Sequence, residues 1–293
     1  MSAIKKRATP AAAPRATDYS NRKDGEEALF AWMRGRLAAN RALADTWPAG
    51  DPRVTVLSYY FWAADPDGSK LARIECAFLE TWRNCGRMKS VIVTHAATPA
   101  LEKLAGNYAP LIEIQVEPSL APGKLFSMSV DCNSRLPARF ETEYLLIVQD
   151  DGFPLRAGLE AFVGKWDFIG APYVRDKFPQ QAFCKLFNCQ VMNGGFSLRS
   201  RKICELAAFW WKKKYSSHRD DAWVSEDYFV TKTLPIFHSQ FRRAVRLPSF
   251  AEALSFSYDA ICAYEGDALP FGFHGALAFK IFSEAGLCGA DIE

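Results

Sequence analysis

The chain has no C-x-x-C pair, no G-x-S-x-G elbow, only four histidines, and no apolar run approaching the roughly 18 residues that a membrane span needs. Each absence removes a class of protein. The eight cysteines, Cys76, Cys85, Cys132, Cys184, Cys189, Cys204, Cys262 and Cys288, are scattered singly through apolar segments, which argues against a zinc knuckle or a disulfide scaffold and for reduced thiols. Without an elbow or a Cys/His nucleophile pair there is no sign of a covalent hydrolase. The glycine-rich phosphate fingerprint is missing after the first predicted strand, where Phe61, Trp62, Ala63, Ala64 and Asp65 stand instead, so a nicotinamide enzyme is disfavoured. An apolar signal-peptide core is also missing from the N-terminus, and a cytoplasmic protein without a transmembrane segment is expected. The formal charge is only +3, part of it in Lys5, Lys6, Arg7 and Arg15, so no nucleic-acid partner is expected.

What is present is enough apolar residue, 49% of 293, to bury the core of one α/β domain. Residues 1–20 are rich in Ala, Pro and basic side chains, with little that is large and apolar, and are expected to form a disordered tail. An N-terminal helical segment follows over 21–53: from Asp24 a helix places Phe30, Met33 and Leu37 on one face, with which it should pack on the outside of the domain. The main domain is expected over 54–285. Strands are predicted at 54–60, 90–94, 111–116 and 144–148. Between them lie helices at 69–85, capped by Asp67 or Ser69 and stopped by Gly86, and at 98–106, opened by Thr98 and Pro99 and closed by Gly106. A third helix has Leu125, Met128, Cys132 and Leu136 in phase. This alternation is the pattern of a wound α/β sheet, and right-handed crossovers put the loops after Tyr60 and Val148 on one rim. The second half is less regular. A helix over 155–165, a strand over 167–171 closed by Pro172, an aromatic stretch containing Gln, and a helix from Ser200 are expected there. No internal repeat is found.

The organising stretch is 142–155, TEYLLIVQDDGFPL. Five apolar residues, Tyr144 to Val148, run straight into Gln149, Asp150 and Asp151, as in a doubly covered strand that delivers carboxylates to its tip, where α/β sheets collect ligands. Gly152 and Pro154 end the strand there. Acids followed by glycine are also ordinary turn chemistry, and that reading stands beside the functional one.

Other segments offer similar pairs of readings. Asn193, Gly194 and Gly195 form a turn that allows positive φ, which makes either a plain hairpin or a place where main-chain N–H groups and the Ser197 hydroxyl meet a polar ligand. Glu226 and Asp227 open a short helix behind Ser225; they either complement its dipole or supply a general base. His274, between Gly272 and Gly275, is either a metal ligand or a backbone hydrogen-bonder. The run 209–214, FWWKKK, reads as a helix finished by lysines, with contact at a membrane surface as the other reading.

Five motifs in this order, QDDGF at 149–153, DFIGAP at 167–172, NGGFSLRS at 193–200, the pair Glu226–Asp227, and FGFH at 271–274, resemble a largely uncharacterised group of glycosyltransferase-like domains. The resemblance spans roughly 54–282, and NGGFSLR is its most specific part. It implies a GT-A-like fold, a Rossmann-like mixed sheet flanked by helices, and transfer of a sugar from a nucleotide-sugar donor to a glycan or glycoconjugate acceptor in polysaccharide or glycoconjugate synthesis. By the same resemblance Gln149, Asp150 and Asp151 bind the donor. Asp151 and His274 would hold Mn²⁺ or Mg²⁺. Asn193, Gly194, Gly195 and Ser197 form the acceptor loop, and Asp227, with Glu226, is the base. Gln149 stands where the family's metal motif begins with an acid. That departure keeps open a non-catalytic nucleotide-sugar or glycan-binding module, with a nucleotidyltransferase as a further alternative.

Overall fold

The structure, a computed structural model, describes residues 22–62, 65–172, 191–217, 225–259 and 269–284. The expected tail at 1–20, the aromatic stretch after Pro172 and the boundary at 285 lie outside the described residues. Apolar runs become strands where helices cover both faces. Every residue of β1 (Val54–Tyr60), β2 (Ser90–Thr94) and β4 (Tyr144–Val148) is buried, whereas β3 (Ile112–Val116), at the sheet edge, is fully buried only at Ile112. These four strands are parallel and alternate with α2 (Ser69–Cys85), α3 (Pro99–Asn107) and α4 (Leu125–Ser134). β5 (Phe168–Pro172) and β6 (Met192–Ser200) complete a six-stranded sheet of order β3-β2-β1-β4-β6-β5, with β6 antiparallel to both neighbours. A mixed sheet flanked by helices is the fold class that the motifs imply.

Alternate residues of each strand feed two apolar layers. Val56, Ile92, Leu146 and Phe196 face one, and Leu57, Val91, Leu145 and Ile147 face the other. The first layer is covered by α1 (Arg22–Leu43), α2 and α10 (Ala276–Glu284). The second is covered by α4, α5 (Arg201–Trp210), α6 (Glu226–Tyr228), a π-helical turn Phe229–Thr233, α7 (Leu234–Phe237) and α8 (Ser239–Ala244). After α9 (Phe250–Phe256), β7 (Ser257–Asp259) pairs in parallel with β8 (Gly272–His274).

α1 buries Leu29, Met33, Arg36 and Asn40, while Phe30 and Leu37, expected on its inner face, are half-buried. The inner stripe tolerates polar residues because Glu80, on α2, accepts from Arg36 Nε at 2.5 Å and from Asn40 Nδ2 at 2.7 Å. α2 stops at Gly86, whose φ of 82° with ψ of 162° is a positive-φ conformation open to glycine. Its first turn is held by Asp65, which accepts from the amides of Lys70 and Leu71 at 3.1 and 3.0 Å; neither Asp67 nor Ser69 is the N-cap.

Three further expectations are corrected. The helix expected over 155–165 is a single 3-10 turn, Leu159–Ala161, because Gly158 and Gly164 take positive φ on either side and Leu155 N–H is tied to Phe271 O. α3 is capped by Thr98 but runs through Gly106 to Asn107. Leu125, expected on the inner stripe of α4, is 67% exposed at the helix's first residue, and Leu136 lies in a separate 3-10 turn. Cys76, Cys85, Cys132 and Cys204 are free thiols; the other four cysteines lie outside the described residues. Among the described residues no helix is long and apolar enough to cross a membrane.

Candidate functional site

The parallel pairing of β1 and β4, with Leu57 opposite Ile147, brings both strand ends to one rim and carries Gln149, Asp150 and Asp151 beyond the sheet. The chain turns at once, with Gly152 N–H donating to Gln149 O at 3.2 Å. Two other segments then clamp the turn. Gln149 N–H donates to Gly195 O at 3.0 Å from β6, and Gly275 N–H donates to Asp151 O at 2.9 Å from the end of β8. β8 in turn is registered on β7 so that Asp259 lies opposite His274.

Side chains from three of these segments, the turn after β4, β7 and β8, meet at the His274 ring. Its Nε2 lies 3.1 Å from Gln149 Oε1 and 3.5 Å from Asp151 Oδ1, and its Nδ1 lies 3.3 Å from Asp259 Oδ2. With oxygen on both sides, the arrangement suits a ring carrying two N–H donors. Burial of the imidazole works to lower its pKa, but the charge of Asp151, the hydrogen bond and charge of Asp259, and the charge of Glu226 outweigh it and raise it to about 9. Asp150 pairs with Arg73 at 3.0 Å, and the Arg73 guanidinium lies 3.8 Å from the centre of the Phe30 ring. Burial, followed by the neighbouring charge of Asp151, raises Asp150 to about 6 against the pull of Arg73. Arg73 also lines a cavity of about 720 Å³ between α1 and the start of α2.

The segment 193–195 is not the positive-φ turn expected from its sequence. Asn193, Gly194 and Gly195 are the second to fourth residues of β6, and neither glycine has positive φ. They are small because three side chains fill the space a Cβ would need. A Cβ on Gly194 would fall within the Glu226 carboxylate, and one on Gly195 would fall on His274 Nε2 and Gln149 Oε1. Asn193 braces this strand, accepting from Gly195 N–H at 2.7 Å and donating through Nδ2 to Asp259 Oδ2 at 3.1 Å. Ser197 is fully buried, not at the rim: its hydroxyl donates to Gly194 O at 2.8 Å and accepts from Arg199 Nε at 3.1 Å.

Glu226 and Asp227 take different surroundings although they are adjacent. Glu226 is buried and its Oε2 lies 2.5 Å from Nη2 of the equally buried Arg199. Asp227 is half-buried and its Oδ1 accepts from the Tyr228 amide at 2.7 Å and from Ser225 Oγ at 3.2 Å. Ser225 precedes α6 but makes no side-chain cap to its amides. The structure thus gathers Gln149, Asp151, Asn193, Gly195 and His274, and reaches Glu226 through Gly194. The bonds just given hold Asp227 at the start of α6.

Asp259, Arg199 and Arg73 complete the site without having been singled out in the sequence. Asp259 sits in a three-residue strand with no motif around it. Arg199 was visible within NGGFSLR, but its carboxylate partner is 27 positions away.

Among the described residues no group of three or more His, Cys, Asp or Glu side chains is disposed to hold a metal ion. Asp151 Oδ1 and Gln149 Oε1 nevertheless approach the same ring nitrogen of His274 within 3.5 Å. One carboxylate, one amide oxygen and one imidazole fit a cation shared with substrate phosphates, which needs only one or two protein ligands. His274 would have to release its proton to join them.

A family model described as a protein of unknown function (DUF5672) matches residues 130–274. No curated protein matches the sequence. Among solved structures, the chain is similar to the mannosyltransferase PcManGT from Pyrobaculum calidifontis in complex with GDP-Man and Mn²⁺, at 15% identity over 78% of this chain and 67% of that one, with a TM-score of 0.40. It is similar to the mannosyltransferase Ktr4p from S. cerevisiae in complex with GDP, at 11% identity over 86% and 91% of the two chains, with a TM-score of 0.46. Glucosyl-3-phosphoglycerate synthase from Mycobacterium tuberculosis, in complex with Mn²⁺ and uridine-diphosphate-glucose, matches at 13% identity over 58% of this chain and 60% of that one, with a TM-score of 0.32.

Proposed function

We propose that this chain is a GT-A-like glycosyltransferase that moves a sugar from a nucleotide-sugar donor to a hydroxyl of a glycan or glycoconjugate acceptor. The observation that carries the proposal is the meeting of Gln149, Asp151, Asn193, Asp259 and His274 at the carboxyl end of β4, from four separated segments. A polar cluster of that kind, at the rim where α/β sheets bind ligands, is poorly explained as a stability device.

Gln149, Asp150 and Asp151 form the donor side, with Arg73 orienting Asp150. Arg73 Nε and Trp62 Nε1 are buried without a hydrogen-bond partner among the described residues, which leaves donors near this side for a ligand rich in acceptors. Mn²⁺ or Mg²⁺ held by Asp151 and His274, with the Gln149 amide oxygen, would stabilise the charge that develops on a departing diphosphate. Asp259 fixes the orientation of the His274 ring from the far side. Asn193, Gly194 and Gly195 shape the acceptor side, where the glycines leave room for the neighbouring carboxylate and imidazole. Asp227 is the base that takes the acceptor's hydroxyl proton, a step that contributes of order 10² to 10⁴ in rate. Glu226, neutralised by Arg199, holds the start of α6 in place.

One observation favours a second reading. Gln149 stands where an acid would strengthen a metal site, and a charged His274 already sits among the oxygens; a non-catalytic nucleotide-sugar or glycan-binding module would tolerate both. Purified protein incubated with a panel of nucleotide sugars and Mn²⁺ separates the two. Release of a nucleoside diphosphate that disappears in Asp151→Asn and Asp227→Asn supports the transferase. Donor binding without turnover across acceptors supports the module, and pyrophosphate release points to nucleotidyl transfer.

A further inference from the structure

We propose that the surface around the end of α5 docks on a bilayer containing anionic phospholipid. Phe209 and Phe237 are 53% and 59% exposed, the two aromatic side chains among the exposed large hydrophobics of the described residues. Ring contacts link Phe209 to the residue next to Phe237, although 28 positions separate the two phenylalanines in the chain. Phe209 packs edge-on against Trp210 at 5.4 Å, Trp210 stacks on His238 at 3.9 Å, and His238 is the residue after Phe237.

Exposed cations lie on the adjoining elements. Lys212, Lys213 and Lys214 are all exposed in the π-helical turn Trp211–Tyr215, and Lys213 Nζ lies 5.2 and 5.4 Å from the centres of the Phe209 and Trp210 rings. Arg242 and Arg243 are exposed on α8, which is tied to the same histidine by Arg242 N–H donating to His238 O at 3.1 Å. Lys212 lines a shallow groove beside Phe209 together with Arg135, which is paired with Glu117 at 2.7 Å. Glu205, one turn earlier on α5, lies 3.9 Å from Arg201.

Two exposed phenyl rings with no polar atom, with exposed basic side chains on the adjoining elements, match a lipid interface: the rings enter the acyl boundary while ammonium and guanidinium groups remain with lipid phosphates. A nucleic acid would be tracked by a continuous basic groove on a strongly basic chain, whereas this chain carries a formal charge of only +3. The docking surface lies outside the cluster at the β4 rim, and its test is independent of the catalytic reading.

The test is co-sedimentation of the full chain with vesicles of pure phosphatidylcholine and of phosphatidylcholine mixed with phosphatidylglycerol, at low and at raised salt. The expected result is pelleting with the mixed vesicles, little with the neutral ones, and weakening as salt rises. Replacing Lys212, Lys213 and Lys214 together by Gln should weaken binding about 10²-fold, from roughly fivefold per cation. Phe209→Ser combined with Phe237→Ser should remove the binding that survives raised salt. These side chains are exposed, so the variants should stay folded, and the wild-type comparison of the two vesicles tests the proposal without any variant. Equal pelleting with both vesicles, no pelleting, or binding unchanged in both variants overturns it. So does displacement from the mixed vesicles by single-stranded RNA, which assigns the surface to nucleic acid, or burial of Phe209 and Phe237 in a dimer, which assigns it to a second copy.

Discussion

Two buried polar networks in this molecule use similar residues in opposite ways. Between α1 and α2, Glu80 is bonded by Arg36, Asn40 and Arg83, and Glu75 by Arg41 and Tyr108, so each carboxylate faces an arginine. At the β4 rim, Asp151 and Asp259 share a histidine, and burial and the charge of Asp151 push Asp150 up to about 6 against the pull of Arg73, a backbone hydrogen bond and His274. Arginine keeps its charge under all ordinary conditions, so the first network is closed. The charge on a histidine can be given up, so the second network, on the proposed function, would exchange its internal cation for an external one. Similar chemistry thus builds a clamp in one place and a receptive site in the other.

The comparison breaks first at Glu80. Glu80→Ala leaves Arg36 and Asn40 buried without their acceptor and is expected to destabilise the fold by about 3–5 kcal/mol in denaturant titration, while donor binding per folded molecule is unchanged. A loss of donor binding with no loss of stability would reverse the assignment of the two networks. Asp151→Asn should do the opposite: nucleotide release falls by about 10² to 10³-fold with little change in melting temperature.

Next come the two glycines. Gly194→Ala pushes on the Glu226 carboxylate and Gly195→Ala on His274 and Gln149, each at an expected cost of about 1–3 kcal/mol. The Gly195 variant should also weaken Mn²⁺-dependent donor binding measured by calorimetry, whereas the Gly194 variant should leave donor binding unchanged. Equal effects on donor binding would mean that the strand and not the imidazole is what matters.

The last test is of pH dependence. His274 has a folded pKa raised from 6.5 to about 9, so the stability it contributes is complete below about pH 6.5 and is lost as pH rises through about 9. Asp150, raised from 3.8 to about 6, has the same sign at lower pH: its contribution is present below 3.8 and is lost as pH rises through about 6. Asp259→Asn should therefore shrink the loss between pH 6.5 and 9 and leave the Asp150 window in place. NMR titration of the His274 ring checks the first effect directly.

Legibility in the sequence follows the same division. β1, β2, β4 and α2 were readable to the residue because a local pattern, an apolar run or a helical stripe closed by Gly86, is enough to define each one. Segment 155–165 misled because its apolar residues suit a helix, while the glycines at 158 and 164 and a backbone bond to Phe271 decide otherwise. At the rim, the residue types were visible and their partners were not. Gly194 and Gly195 look like turn residues, yet their smallness is explained by side chains 32 and 79 positions away in the chain.

From its order of residues alone, this protein determined a wound α/β sheet with acids at the tip of a buried strand, because periodicity and burial are properties of neighbouring residues. Tertiary structure decided that His274 lies between Asp151 and Asp259, that Glu226 answers Arg199, and that Ser197 turns inward. Each of those depends on which distant segments share a sheet register, and a register is settled only when the whole domain packs.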